Sequence, residues 1–265
     1  MNRIDKVFIG LRQRKQTGLI PYIMAGYPDI ETTDRLIIEF DRIGADIIEL
    51  GVPFSDPIAD GPVIQAASEH ALQNNISLRQ IIAHVKNLRA DIELPVVLMS
   101  YYNVIYAYGI DKFVNDATSA GIDGVIVPDL PPEEARILEE AAADMDMCCI
   151  FLLAPTSTLQ RIKLVNEHST GFIYYVSVTG TTGMREQLAD TLKQHILQVR
   201  SVTTKPVGVG FGISTPEHIS QISLIADAAI VGSAIISRIT KYIGSSELIE
   251  QVTQFVSELK LATIE

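Results

Sequence analysis

The sequence has no tryptophan, only two cysteines, and too few basic residues to balance its acidic ones: 21 Lys and Arg against 32 Asp and Glu, a formal charge of −11. Each shortage excludes something. The cysteines, Cys148 and Cys149, are adjacent, so no spaced set exists to staple a disulfide framework, and a reducing compartment, the cytoplasm, is expected. In the apolar run CCIFLLAP they read as small core residues whose side chains point to opposite faces of a strand. The acidic balance argues against nonspecific binding to DNA, RNA or anionic membrane, each of which needs a positive surface. No apolar run approaches the ~20 residues that span a bilayer. The five histidines (His70, His84, His168, His195 and His218) are scattered without HExxH or Cys/His ligand spacing, so no protein-built metal site is expected.

What is present points to a layered α/β chain. With 47% hydrophobic residues in 265, a sizeable core can form. Near the N-terminus, Ile4, Phe8 and Leu11 recur at helical spacing and Asp5 interrupts the basic residues, which reads as an amphipathic helix over the core rather than a targeting segment. Eight short apolar runs follow, beginning at Leu19, Asp46, Pro95, Asp123, Cys148, Gly171, Lys205 and Asp227. Runs of this kind suit parallel strands buried on both faces. Between them lie helical patterns such as ETTDRLIIEFDRIG and SLRQIIAHVKNLRA, and Thr215-Pro216 makes a good helix start. Eight strands alternating with helices match a (β/α)8 TIM barrel, expected as one domain over residues 1–265, with an extra N-terminal helix. A doubly wound sheet is the rival, with fewer strands at this length. The longest interval, from Asp46 to Pro95, holds GVPFSDPIADGP and then a helical pattern, an insertion after the second strand where barrel sites are built.

Three carboxylates fall at that point. Glu49 interrupts an apolar strand, where a carboxylate is costly unless paired, protonated or useful, and burial would raise its pKa toward acid–base work. Asp56 and Asp60 follow in a loop restricted by Pro53, Pro57 and Pro62; either can instead make an Asx-turn or cap the next helix. Across the barrel, Gly208, Gly210 and Gly212 alternate in KPVGVGFGIS, but a dinucleotide fingerprint fails because Ile213 stands where its last glycine belongs. The ends of the seventh and eighth runs, residues 211–214 and 231–234, read better as a barrel phosphate site, with tight turns as the plainer alternative. Residues 178–183 have the composition of a loop that closes over a phosphorylated ligand.

The contiguous stretch IELGVPFSDPIADGP, from Ile48 to Pro62, closely resembles the signature of the tryptophan synthase alpha subunit family. Supporting matches are Pro21-Tyr22, Ala25-Gly26-Tyr27-Pro28, Pro128-Asp129-Leu130-Pro131, Val178-Thr179-Gly180 with Thr182-Gly183, Gly210-Phe211-Gly212-Ile213 and Gly232-Ser233-Ala234, so the resemblance covers essentially the whole chain. It implies retro-aldol cleavage of indole-3-glycerol phosphate to indole and D-glyceraldehyde 3-phosphate. Glu49 would be the acid, Asp60 the partner of the ring N–H, and Tyr174 the tyrosine beside the reacting side chain. Gly183, Gly212, Gly232 and Ser233 would hold the phosphate, while Tyr22, Met99, Ile126, Thr182 and Phe211 would line the indole pocket. Asp56 and Pro57 would couple to a beta subunit in an alpha2-beta2 heterotetramer, with pyridoxal phosphate on that partner and no cofactor or metal on this chain. Two positions depart from some relatives: Tyr22 is phenylalanine there and Val178 is arginine, so loop-closure contacts do not transfer at 178. The alternatives are a stand-alone lyase, another phosphosugar-binding barrel, which would need neither Asp60 nor an indole-sized pocket, and a catalytically silent activating subunit, which an indole-release assay separates.

Overall fold

The computed structural model describes residues 1–177, 185–210 and 212–264. The chain opens with α1 (Arg3–Arg14), β1 (Gly18–Met24), α2 (Ile30–Arg42), β2 (Ile48–Gly51), α3 (Pro62–Gln73), α4 (Leu78–Leu88) and β3 (Val96–Met99). Then come α5 (Tyr102–Tyr108), α6 (Ile110–Ser119), β4 (Gly124–Ile126), α7 (Arg136–Asp144), β5 (Cys148–Ile150), β6 (Leu152–Leu153) and α8 (Leu159–His168). The last part is β7 (Ile173–Val176), α9 (Arg185–Arg200), β8 (Val207–Gly210), α10 (Pro216–Ser223), β9 (Ala228–Val231), α11 (Ser233–Tyr242) and α12 (Leu248–Leu261).

Among the described residues every strand pairing is parallel, in the order β5-β4-β3-β2-β1-β9-β8-β7-β6. The two ends of that order are joined through Phe151 alone, so β5 and β6 are halves of one stave and the sheet closes as the expected eight-stave barrel. The run CCIFLLAP is thus split where an unbroken strand is expected. At the break the Phe151 N–H turns to Ser169 Oγ (3.3 Å), and the Phe151 carbonyl accepts from the Tyr174 N–H (3.1 Å). Cys148 faces the barrel interior and Cys149 the surrounding helices. Burial pushes both thiols up to about 12, which makes them poor nucleophiles.

The N-terminal helix forms as its spacing predicts. The Asn2 side chain caps it by accepting from the Ile4 N–H (2.9 Å), and Ile4, Phe8 and Leu11 are buried. These three pack with the inward residues Ile20, Val97, Ile150 and Phe172. Leu11 lies against Gly18, and Ile4 against Gly124 and Gly171, all at or just before the start of a strand. α1 therefore closes the N-terminal end of the barrel.

That end is also held by three aspartates, each just ahead of a strand. Asp46 accepts the Leu19 N–H (2.7 Å) and pairs with Lys260; Asp227 accepts the Val207 N–H (2.7 Å) and pairs with Arg200. Asp123 accepts the Val96 N–H (2.9 Å) and pairs with Arg89 (3.0 Å) and Arg3 (2.9 Å). Each carboxylate ties the start of its own strand to the one before it.

Between β2 and β3 stand residues 52–61 and two helices, the expected insertion. Gly61 begins α3 with no side-chain cap and Pro62 takes the first helical position, so Asp60 does not serve as a cap. Ser77 and Gln80 form a capping box on α4. Among the described residues no helix is long and apolar enough to cross a membrane, and no group of His, Cys, Asp and Glu could hold a metal ion.

Candidate active site

Glu49 lies in the middle of β2, in register with Tyr22 on β1 and Val97 on β3. It is 1% exposed, and neither carboxyl oxygen has a hydrogen-bond partner among the described residues. Burial pushes its pKa from the usual 4.5 to about 8, and the charge of Asp60 adds to the rise. A carboxyl so placed is protonated at neutral pH and can both give and take a proton.

Asp60 stands at the other end of the loop, just ahead of α3. Its Oδ2 accepts a hydrogen bond from Tyr101 Oη (3.2 Å), and its carbonyl accepts from Gln65 Nε2 (2.7 Å). Burial raises its pKa and the tyrosine bond opposes the rise. Tyr101 follows the C-terminal end of β3, stacks on Phe54 with ring centres 4.9 Å apart, and accepts the Ala59 N–H (3.0 Å). It therefore holds the loop and its carboxylate together. The sequence reading missed it; the one available signal was its place just beyond a strand's C-terminal end.

Tyr22 and Tyr174 face this site from opposite halves of the barrel, each buried. Each leans across to the next strand in the same way: the hydroxyl of Tyr22 lies over Gly51, two residues past its register partner Glu49, and that of Tyr174 over Gly210, two past Gly208. A Cβ at either glycine would overlap the phenol. Burial, followed by the nearby carboxylates, keeps both phenols protonated far above their ordinary range. Met99 and Ile126 end β3 and β4 in register with each other and supply an apolar wall.

Gly212 follows β8 with φ +73°, a left-handed conformation that favours glycine. Gly232 leads into α11, whose first turn has no side-chain cap, and Ser233 is its first residue. Uncapped N–H groups at a helix start suit an anion. Asp56 is exposed and takes a bond from its neighbour Ser55 (2.5 Å), with Pro57 next to it and Ile58 81% exposed beyond. Thr182, Gly183 and Phe211, with Val178, lie outside the described residues.

A closed parallel barrel with two desolvated carboxylates facing its C-terminal end defines the class, a (β/α)8-barrel protein with the marks of an enzyme. Its family follows from three comparisons. The family model of the tryptophan synthase alpha chain matches residues 8–264. Tryptophan synthase alpha chains of a Geobacter species and of Citrifermentans bemidjiense are 47% and 48% identical over 260 residues, covering 98% of this chain and 97% of each relative. Among solved structures, the alpha subunit from Legionella pneumophila is similar with a TM-score of 0.92 at 39% identity, over 99% of this chain and 98% of that one. Tryptophan synthase from M. tuberculosis in its aminoacrylate-bound form gives 0.88 at 33%, over 99% and 100%. The chain belongs to the tryptophan synthase alpha chain family. It is accordingly a carbon–carbon lyase that cleaves indole-3-glycerol phosphate to indole and D-glyceraldehyde 3-phosphate in tryptophan biosynthesis.

Proposed function

We propose that Glu49 and Asp60 carry the cleavage between them. The observation behind this is Glu49 itself: a carboxyl sealed in an apolar strand, without a hydrogen-bond partner among the described residues, whose pKa burial pushes up to about 8. The bond between the indole ring and the glycerol carbon breaks readily once carbon 3 of the ring is protonated. Glu49 gives that proton, and the ring becomes a cation with its charge on nitrogen. Asp60 accepts a hydrogen bond from the ring N–H and stabilises the charge. The carbon–carbon bond then breaks, its electron pair restoring the indole. The glycerol hydroxyl proton passes to the Glu49 carboxylate, leaving the aldehyde and a reset acid. Tyr174 is assigned to the side of the reacting group, and Tyr22, Met99 and Ile126 to the indole pocket, together with Thr182 and Phe211, which lie outside the described residues. Incubation of the purified chain with indole-3-glycerol phosphate should release indole; none released, alone or with a beta subunit, would overturn this reading.

The substrate's phosphate is assigned to Gly212, Gly232 and Ser233, with Gly183. Ser233→Asp places a negative charge at the uncapped start of α11. We expect KM to rise at least about tenfold, since several kT of repulsion replaces attraction there. Glycerol phosphate should also no longer raise the melting temperature of the variant as it does that of the parent. An unchanged shift would place the phosphate elsewhere.

The partner is assigned as a beta subunit carrying pyridoxal phosphate, in an alpha2-beta2 assembly, and this chain as one domain in the cytoplasm with no cofactor of its own. Asp56 and Pro57 project from the loop that ends in Asp60, so contact there reaches the acid–base pair through eight residues or fewer. Coupling of this kind is typically about 1–3 kcal/mol and acts equally in both directions. Asp56→Ala should lower activation by the beta subunit more than basal indole release. Equal losses in the two assays would mean Asp56 serves only the loop's own turn, through Ser55.

A further inference from the structure

The Tyr22 hydroxyl has no use in the scheme above. The ring accounts for an apolar wall, which phenylalanine would supply as well. The residue is 3% exposed, and its hydroxyl has no hydrogen-bond partner among the described residues. Glu49, directly across the strand pair, is also buried, and neither of its carboxyl oxygens has a partner among the described residues. Of this pair it is the Glu49 oxygens that are sealed from solvent without a partner among the described residues, which is costly for the resting protein.

The positions of the two groups suggest what resolves this. The phenol leans over Gly51, two residues beyond Glu49, and a strand rises about 6–7 Å over two residues. Its hydroxyl therefore lies further toward the open mouth than the Glu49 backbone. Glu49 must extend the same way to meet a substrate entering from there. The would-be side chain of Gly51 leaves the space the phenol fills, and Gly232 flanks the ring on the β9 side. The titratable groups surrounding Tyr22 are Asp60, Glu49, Tyr174 and Tyr101, and none of them is a cation.

We propose that Tyr22 is a positioning residue for Glu49, its hydroxyl donating a hydrogen bond to the Glu49 carboxylate when that group extends toward the substrate and gives up its proton. The bond stabilises the charged form, which exists in the transition state and not in the resting acid. Hydrogen bonds of this sort are often formed only in the complex. The phenol itself keeps its proton, because burial and the two carboxylates hold it far above its ordinary range. The inference rests on the reading of Glu49 as the acid.

Tyr22→Phe tests it, since the ring and the packing survive and only the hydroxyl is lost. We expect kcat to fall about tenfold with KM within about twofold, and the alkaline limb of the kcat profile to rise by about one pH unit, the same tenfold expressed as an ionisation constant. A role confined to packing or ring contact would leave kcat and its limb where they are, or raise KM alone; either result overturns the proposal. A fall in kcat with an unmoved limb overturns it too, because the hydroxyl would then act on substrate and not through Glu49. Glu49→Gln is measured alongside. If that variant keeps turnover, the acid assignment itself is wrong; if it is inactive while Tyr22→Phe behaves as the parent, only the present proposal falls.

Discussion

Glu49→Gln and Asp60→Asn should each reduce indole release about 10²–10⁴-fold, the usual effect of removing one general acid–base group. Near-parental turnover by either purified variant would overturn its assigned role. The glutamine variant should also be more stable than the parent, with a pH dependence that identifies the cause. In the unfolded chain Glu49 ionises at about 4.5, and in the folded chain at about 8. Between those values the unfolded state has lost a proton that the folded state keeps, so stability is lost as the pH rises. At pH 7 the loss amounts to about 3 kcal/mol. Glutamine has no such titration. The variant should therefore melt above the parent at pH 7–8, with the gain vanishing near pH 4. A gain independent of pH would mean that Glu49 is not held protonated by burial.

Asp123→Ala should cost about 3–5 kcal/mol in a denaturant titration, the range for removing one partner from a buried charged pair. The carboxylate is 4% exposed and satisfies three donors: the Val96 N–H and the guanidinium groups of Arg89 and Arg3. Arg89 would keep its bonds to the Gly121 and Leu94 carbonyls but lose its counter-charge in a largely buried position. Glu140→Ala, at an exposed pair with Arg136, should leave the midpoint within error of the parent. Under conditions where the Asp123 variant remains folded, its kcat should match the parent's, because this aspartate stands at the closed end of the barrel and the carboxylate pair at the open one. Parallel losses of stability and kcat would show that the two ends are coupled.

The two ends also differ in how far they could be read from sequence. Glu49 was legible because a carboxylate among Ile47, Ile48 and Leu50 contradicts its surroundings, and a contradiction inside a single strand needs no tertiary information. The stave count was legible for a similar reason: strands buried on both faces write themselves as continuous apolar runs. The break at Phe151 was not, because it depends on where Ser169 lies once the barrel has closed. Tyr101 was missed on the same ground, since its bond to Asp60 crosses 41 residues and exists only after β2 and β3 pair. Asp227 is a further case: its work, tying β8 to β9 and pairing with Arg200, needed the register of the sheet.

α1 has a consequence for traffic. By stopping one end of the barrel, and with Ile20, Val97, Ile150 and Phe172 filling the interior above it, the helix makes the fold a blind-ended tube. With that end filled, indole formed at the proposed site leaves by the open mouth, and two fates compete for it there: escape into bulk water, or capture by whatever is seated on the rim. The ratio of those fates depends on how tightly the rim is covered and how long the cover stays. A leak in this enzyme is thus mended or opened at the mouth, where residues 52–61 stand, and substitutions in the floor should alter how long the protein lasts without altering where its product goes.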